Sequence, residues 1–298
     1  MDADTILDRR RLKRRLAIWR TLAIVAVVGL AVAFLAELVV PTAEHVARLN
    51  VAGLIIEDAG RAEVLANLVD DDNVRALVVR INSPGGTTAG SEELYHGLRR
   101  VAEKKPVIAV IGTIGTSGGY IVAAAANHIL ARETSLTGSI GVMLQTAEFS
   151  ELLQKLGISA ESLKSTPLKG QPSPTEPMSD EARQALGSVL GDSYDWFVGL
   201  VRERRVMSAE EARRIADGRL FTGRQAVANK LVDGIGGERE ARSWLEAQRD
   251  VSAALPTVDV VYGPEASVMA RFTDSLAEKV LSFEPLTLDG LMSVWQPR

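Results

Sequence analysis

The feature that most constrains this chain is an uninterrupted apolar segment near its N-terminus. Residues 21–40 read TLAIVAVVGLAVAFLAELVV and hold a single charged side chain, Glu37, near their end. At about 1.5 Å per residue, a helix of that length spans roughly the 30 Å hydrocarbon core of a bilayer. A helix of a soluble domain keeps a polar face, and residues 21–36 have none. The sequence therefore predicts one N-terminal transmembrane helix.

The charges before this segment predict its orientation. Residues 1–20 hold seven basic and three acidic side chains, so their net charge is +4, and the rest of a chain with net charge −4 carries −8. Basic residues directly before an apolar run place the N-terminus in the cytoplasm. Although Ala31-Val32-Ala33 resembles a signal-peptide cleavage site, the run is longer than a usual signal-peptide core, which favours an uncleaved anchor. We expect a single-pass protein of a bacterial inner (cell) membrane whose main domain is periplasmic or extracellular.

Composition excludes several functional classes. The chain has 298 residues, 46% of them hydrophobic, which is enough for a sizeable core. It has no cysteine, which excludes a thiolate nucleophile and a cysteine-based metal site, and its three histidines disfavour a histidine-rich one. Its net negative charge disfavours nucleic acid as a partner. No phosphate-loop motif is present, and neither a metal nor another cofactor is expected.

After Pro41, β-rich apolar runs alternate with amphipathic segments, which is typical of an α/β domain built on a buried sheet. The predicted strands are residues 46–57, 73–82, 107–112, 128–131 and 140–143, and the predicted helices are 61–70, 87–105 and 121–126. The turn residues Ser83-Pro84-Gly85-Gly86 are expected to end the second strand. Four prolines in residues 165–179 predict a long loop, after which Ser179 caps the first of several helices that continue to about Arg249.

A candidate nucleophile follows the third predicted strand. Thr116-Ser117-Gly118-Gly119-Tyr120 places a serine between a buried strand and a small-residue helix, where its hydroxyl can be exposed at the helix N-terminus. The backbone N–H of Gly118 could hold an oxyanion, and the Ser83–Gly86 turn is a second backbone cradle. By spacing alone the motif is not specific, because serine and glycine are common in strand-to-helix turns for steric reasons.

The base for such a serine is better sought among the lysines than among the histidines. His45 lies beside the membrane segment, His96 in a surface-helix pattern and His128 at a strand start, so each has an ordinary structural interpretation. A lysine can act as general base when burial lowers its pKa. Lys169, isolated among the prolines of the loop, is the main candidate, and Lys164, five residues earlier, is the alternative.

Six motifs, in their order along the chain, resemble the signal peptide peptidase A family, membrane-anchored serine peptidases of family S49. They are Arg80-Ile81-Asn82-Ser83-Pro84-Gly85-Gly86, Thr116-Ser117-Gly118-Gly119-Tyr120, Thr137-Gly138-Ser139-Ile140-Gly141-Val142, the stretch KGQPSPTEPM at 169–178, Ala216-Asp217-Gly218-Arg219 and Thr222-Gly223-Arg224-Gln225-Ala226. The resemblance covers about residues 46–240, and the N-terminal anchor fits it as well. Six motifs in register are far more specific than any one of them.

The resemblance implies both a site and a fold. Ser117 is the implied nucleophile and Lys169 the general base of a Ser–Lys dyad, while Gly86 and Gly118 supply the oxyanion N–H groups. The implied fold is a ClpP/crotonase-like β–α superhelix. The implied activity is the degradation of remnant signal peptides near membrane lipid by homo-oligomers whose active sites lie between protomers. The expected organisation is then a basic cytoplasmic segment (1–20), a signal-anchor (21–40), a Ser–Lys peptidase domain (41–250) and a C-terminal extension (251–298) that packs on the domain or mediates assembly.

Three other functions remain open at this point. The first is an S49-type protease that cleaves one specific membrane-associated protein. The second is an acyl-CoA hydratase or isomerase that uses the Gly86 and Gly118 cradle, although such enzymes commonly use carboxylates and act in the cytoplasm. The third is a non-catalytic oligomeric membrane scaffold, which would assemble normally and hydrolyse nothing.

Overall fold

The computed structural model describes residues 13–29, 43–262 and 292–294. The chain divides into two compact units, Met1–Ala43 with Pro264–Ser282, and Glu44–Gly263 with Phe283–Arg298. In the first unit, residues 13–29 form helix α1. Among the residues described, no helix combines the length and the apolar character needed to cross a bilayer. Residues 30–40 of the predicted anchor lie outside the described residues, so the transmembrane helix stays a prediction.

A mixed sheet forms the centre of the second unit. Its strands within the described residues are β1 (His45–Ile55), β2 (Val74–Thr87), β3 (Val107–Thr116), β4 (His128–Ala131), β5 (Leu136–Gly138), β6 (Leu220–Thr222), β7 (Gly234–Ile235), β8 (Thr257–Asp259) and β9 (Met292–Val294). The main order is β6-β5-β3-β2-β1-β8, with β4 between β3 and β7, and β9 on β2. Strands β1, β2 and β3 are parallel, whereas β9 runs antiparallel to β2. The predicted mixed α/β fold is confirmed.

Helices cover both faces of this sheet. They are α2 (Ala59–Asp70), α3 (Thr88–Lys104), α4 (Gly118–Ala124), α5 (Ser150–Lys155), α6 (Asp180–Arg204), α7 (Ala209–Ile215), α8 (Gly223–Ala228) and α9 (Glu238–Arg249). Successive side chains of a strand point to opposite faces. In β2, Leu77 and Val79 therefore join the larger core with α3 and α4, while Val78 joins a second core with Leu245 of α9. Burial on both faces explains the nearly continuous apolar runs of the central strands.

Two sequence-based boundaries near the candidate site are wrong. The Ser83–Gly86 segment does not end the second strand, because Gly85 and Gly86 pair with Leu54 and Ile55 of β1 and the strand continues to Thr87. The strand predicted at 140–143 lies earlier, at β5. It ends at Gly138, where the backbone turns to positive φ values of 80° at Gly138 and 49° at Ser139, which do not continue an extended strand.

The proline-rich loop is confirmed. No helix or strand occurs between the end of α5 and the start of α6. Ser179 is the N-cap of α6, and its hydroxyl accepts a hydrogen bond from the Ala182 N–H at 3.1 Å. Part of residues 251–298 contributes to the sheet, since β8 pairs with β1 and β9 pairs with β2. Of these, β9 pairs with the end of β2 that carries Gly86.

Candidate active site

Ser117 lies at the junction of β3 and α4 in an unusual backbone conformation. Its φ is 54° and its ψ is −120°, and it is the N-cap of α4. A residue other than glycine held in such a region costs on the order of 1–3 kcal/mol and persists only where the surrounding structure imposes it. Such strain clusters at active sites. The structure therefore places the proposed nucleophile on a sharp, strained turn directly before a helix.

Two neighbouring segments hold this turn. The Ser117 N–H donates to the Gly138 carbonyl at 2.8 Å, which joins the turn to the end of β5. The preceding Thr116 hydroxyl donates to the Pro84 carbonyl at 3.1 Å, which joins it to β2. The Ser117 carbonyl begins α4 by accepting from the Tyr120 N–H at 2.9 Å. The strain is thus imposed by hydrogen bonds to two segments that are distant in sequence.

The two glycines predicted to form the oxyanion hole lie side by side. A methyl group added at Gly118 would lie 3.2 Å from the Gly86 nitrogen and would overlap the Ser91 hydroxyl. One added at Gly86 would overlap the Ile55 carbonyl oxygen. These contacts leave no room for a side chain at either position, so the backbone of β2 and that of the first residue of α4 meet directly beside Ser117. This proximity is the first requirement of an oxyanion hole, in which backbone N–H groups stabilise a tetrahedral oxyanion next to the nucleophile.

Buried hydroxyls that the sequence analysis did not single out support this cradle. Ser83 is fully buried, donates to the Gly53 carbonyl at 2.6 Å and accepts from the Gly85 N–H at 3.1 Å. Ser91 in α3, also fully buried, donates to the Thr87 carbonyl at 2.9 Å. The sequence signal was present, because serine hydroxyls commonly bond backbone groups two to four residues away, as Ser83 does with Gly85 and Ser91 with Thr87.

Ser139 is a second strained serine near the site. It directly follows Gly138, the residue that accepts the Ser117 N–H, and its own N–H donates to the Arg219 carbonyl at 2.9 Å. Ser139 is buried and has a positive φ of 49°. In the sequence, Ser139 stands out only as part of the Thr137–Val142 motif. The fold thus brings two serines in strained conformations to adjacent segments.

The two candidate lysines have different surroundings. The Lys164 ammonium is mostly buried and forms an ion pair with Glu176, whose carboxyl pKa is lowered by that hydrogen bond. Lys169 lies on an exposed turn of the same loop, where its N–H donates to the Thr166 carbonyl at 3.1 Å. Within the described part of the chain, no hydrogen bond joins either lysine to Ser117. The structure therefore brings together the nucleophile and both glycines, but not the base.

Helix α4 is anchored at its far end by side chains from other elements. The guanidinium groups of Arg99 and Arg204 donate to the carbonyls of Ala125 and Ala124, each at 2.9 Å. Cations at a helix C-terminus satisfy its last carbonyls and favour its dipole. The Tyr120 hydroxyl donates to the Leu231 carbonyl at 2.7 Å, and complete burial raises the pKa of this phenol. These bonds fix the helix that begins at Ser117.

Most of the site lies within a region that matches a family of known proteins, and of the predicted site residues only Gly86 precedes that region. A family model described as peptidase family S49 matches residues 99–252, which is more than half of the chain and includes Ser117, Gly118, Lys164 and Lys169. The chain belongs to peptidase family S49. It is accordingly a serine peptidase with a mixed α/β fold.

Individual relatives agree with this S49 assignment. A candidate protease of Synechocystis is 36% identical over 76% of this chain and 82% of its own length. A candidate signal peptide peptidase of Enterococcus faecium is 33% identical over 64% of this chain and 56% of its own. A chloroplastic serine protease of Arabidopsis thaliana is 32% identical over 77% of this chain, which spans about a third (34%) of that relative.

The chain has a weak structural similarity to a solved structure. A ClpP1 variant from Listeria monocytogenes superposes with a TM-score of 0.43 at 15% identity, covering 65% of this S49 chain and 92% of its own. The ClpP/crotonase-like superhelix stays a prediction. Within the residues that the structure describes, no group of three or more acidic or histidine side chains could hold a metal ion.

Proposed function

We propose that this S49 peptidase is a membrane-anchored serine endopeptidase with a Ser–Lys dyad, and that it degrades remnant signal peptides after their release from preproteins. The observation that carries the proposal is the strained turn at Ser117, beside which the backbones of Gly86 and Gly118 meet. The resemblance to signal peptide peptidases and the apolar segment at 21–40 support the substrate and the location. The chain would lie in a bacterial inner membrane, in contact with lipid, with its N-terminus in the cytoplasm.

The proposed reaction proceeds in two stages. Neutral Lys169 accepts the proton of the Ser117 hydroxyl while the serine oxygen attacks the carbonyl carbon of the peptide bond. The N–H groups of Gly86 and Gly118 stabilise the tetrahedral oxyanion. The lysinium then protonates the leaving amine as the C–N bond breaks. Water, deprotonated by the same lysine, hydrolyses the resulting serine ester and restores the free hydroxyl.

Lys169 can act as the general base in this scheme only if another protein surface buries it. A lysine acts as a base near neutral pH only when burial lowers its pKa, and Lys169 is exposed in the single chain. The segment around it also exposes several large apolar side chains, Phe149, Leu152, Leu156, Leu163 and Leu168. Exposed large apolar side chains concentrated in one segment of a chain are typical of an interface. We propose that a second copy of the chain covers this segment and that the complete active site lies at the boundary between protomers of a homo-oligomer.

The test is hydrolysis of a signal-peptide library by the full-length protein in detergent. Ser117→Ala, Lys169→Ala and Lys164→Ala are compared with wild type at matched folding and oligomeric state. We expect the first two to lose activity by about 10³-fold or more and the third to keep it. Loss with Lys164→Ala and retention with Lys169→Ala would move the base to Lys164. Activity that survives Ser117→Ala would overturn the mechanism.

A further inference from the structure

Two arginine side chains lie together at the C-terminal end of α4. The Arg204 guanidinium donates to the carbonyls of Ala124 and Ala126, at 2.9 and 3.1 Å. The Arg99 guanidinium donates to the carbonyl of Ala125, which lies between those two in the chain, at 2.9 Å. Burial and the neighbouring charge of Arg99 lower the pKa of Arg204. Helices α3 and α6 thus bring two positive charges to three consecutive carbonyl groups.

These two charges form no ion pair within the part of the chain that the structure describes. The next residue, Arg205, binds the Asp233 carboxylate at 2.6 Å, but Arg99 and Arg204 bind no carboxylate, and exposed Glu203 attracts Arg204 without pairing with it. A helix C-terminus supplies only about half a negative charge. A guanidinium has five N–H donors, of which Arg99 uses one and Arg204 two on α4. Most of their donors and most of their charge therefore remain available to a ligand.

A buried tyrosine lies beside the same two arginines. Tyr95 of α3 has an exposed fraction of 9%, and its hydroxyl makes no hydrogen bond to any described residue. Burial raises the pKa of this phenol, and the charges of Arg204 and Arg99 oppose that shift, which places the hydroxyl close to both guanidiniums. The hydroxyl of a buried tyrosine usually has a hydrogen-bond partner. Its free donor is a second and independent sign of a ligand at this position.

The cluster of Tyr95, Arg99 and Arg204 lies at the edge of the sheet where the parallel strands begin. Directly after the three carbonyls, the Asn127 N–H donates to the carbonyl of Val107, the first residue of β3, at 2.8 Å. Because β1, β2 and β3 are parallel, β1 begins at this edge, and Ser117 lies at the opposite one. Only residues 41–44 separate the start of β1 from the predicted transmembrane segment. A phosphate at this edge can therefore belong to a lipid headgroup as well as to a soluble compound.

We propose that Tyr95, Arg99 and Arg204 form a binding site for a phosphate group, carried by the headgroup of an anionic lipid or by a compound in solution. A phosphate group offers negative charge and several strong acceptor oxygens, which two guanidiniums and a hydroxyl can share. A carboxylate has two oxygens in one plane, which a single guanidinium already satisfies. The inference does not rest on the peptidase function proposed above, because the cluster and Ser117 lie at opposite edges of the sheet.

The first experiment measures the Tm of the full-length protein in detergent as inorganic phosphate is added, with sodium chloride and sodium acetate as control salts of matched ionic strength. An anion that binds only the folded chain raises its Tm. We expect wild type to respond to phosphate more than to either control salt. Loss of the hydroxyl in Tyr95→Phe should raise the apparent dissociation constant for phosphate about 3- to 10-fold, and loss of the charge in Arg99→Gln about 10-fold or more.

The variants separate phosphate binding from folding. Since the Tyr95 hydroxyl bonds to no described residue, Tyr95→Phe should unfold at the wild-type temperature when phosphate is absent. Arg100→Gln is the matched control for Arg99→Gln, because Arg100 is exposed on the same helix and makes no hydrogen bond to another described residue. It should bind phosphate as wild type does. Equal responses to phosphate and acetate, or equal dissociation constants for wild type and Tyr95→Phe, would overturn the proposal.

A second experiment identifies the source of the phosphate. The full-length protein is kept in phosphate-free detergent micelles, to which phosphatidylglycerol or zwitterionic phosphatidylcholine is added. We expect phosphatidylglycerol to raise the Tm of wild type more than that of Tyr95→Phe, and phosphatidylcholine to raise neither. A response of wild type to inorganic phosphate alone would assign the site to a soluble phosphate compound. If neither phosphatidylglycerol nor inorganic phosphate distinguishes wild type from Tyr95→Phe, the cluster is not a phosphate site.

Discussion

At Ser117, the strained backbone and the near-complete burial have one structural origin. The chain leaves β3 while still paired with β5 and must enter α4 within a single residue. Hydrogen bonds from the Ser117 N–H to Gly138 and from Thr116 to Pro84 hold the turn on both sides. These contacts therefore offset the free-energy cost of the strained backbone at Ser117. They also hold Ser117 beside the backbones of Gly86 and Gly118.

The backbone strain predicts a difference between two inactive variants. Ser117→Ala and Ser117→Gly both remove the hydroxyl, but only glycine adopts a positive φ without a steric cost. We expect Ser117→Gly to be more stable to urea than Ser117→Ala by about 1 kcal/mol. Urea unfolding followed by circular dichroism measures this difference. A more stable alanine variant would show that the turn is not strained.

The close approach at Gly118 predicts a loss of both activity and stability. Gly118→Ala places a methyl group against the Ser91 hydroxyl and the Gly86 nitrogen, so we expect destabilisation by about 1–3 kcal/mol and at least a tenfold fall in kcat. Gly187→Ala in α6 is the matched control, because its added methyl group meets nothing within 4 Å. It should stabilise the protein by about 0.5–1 kcal/mol and leave activity unchanged. Equal effects of the two substitutions would contradict the crowded cradle.

At the scale of elements, α4 is short and depends on its neighbours. Its seven residues are all buried, and side chains of α3 and α6 bind its C-terminal carbonyls. A helix of this length has little stability of its own, so tertiary contacts maintain it. Tyr120 makes one such contact, through its bond to the Leu231 carbonyl, which lies between α8 and β7.

Removal of the Tyr120 hydroxyl should destabilise the fold. Tyr120→Phe leaves the buried Leu231 carbonyl without its donor, which costs about 1–3 kcal/mol. Tyr194→Phe removes a similar bond to the Ala216 carbonyl, but at a half-buried position that water reaches, so its cost should be smaller. Thermal unfolding of the two variants tests the order. A larger loss for Tyr194→Phe would contradict this account of α4.

At the scale of the whole molecule, β4 and α9 meet through a titratable contact. His128 stacks on Trp244 with ring centroids 4.5 Å apart and an interplanar angle of 13°. Burial lowers the pKa of His128, while the Asp233 carboxylate, 3.7 Å from its ring nitrogen, opposes that shift and Arg205 adds to it. The imidazole is therefore held in its neutral form between the sheet and the last helix described.

The lowered pKa predicts a loss of stability in mild acid. The pKa of His128 in the folded chain lies below the ordinary 6.5. The unfolded chain therefore binds more protons than the folded chain as the pH falls through 6.5. The contribution of neutral His128 to the free energy of unfolding is complete above about pH 7 and decreases toward about pH 5.5. We expect the wild-type Tm to fall over this range more than that of His128→Gln. Parallel pH profiles for the two proteins would exclude this group as the cause.

Local patterns in the sequence were sufficient to predict much of the fold and part of the candidate site. Apolar runs predicted the central strands, prolines predicted the loop at 165–179, and Ser179 predicted the start of α6. These features depend on residues close together in the chain, through backbone preferences and the need to bury apolar side chains. The same motifs, in order, placed Ser117 at a strand-to-helix junction and indicated the S49 family.

Tertiary structure alone decided the features that join distant segments. The pairing of Gly85 and Gly86 with β1 continued β2 through a predicted turn. Hydrogen bonds that Ser117 and Thr116 donate to residues more than twenty positions away imposed the conformation of Ser117. The contact of Gly86 with Gly118 and the pairing of β9 with β2 are also of this kind. Which segment pairs with a strand edge depends on the fold of the whole chain. Contacts between residues that are far apart in the sequence therefore leave no local pattern around either residue.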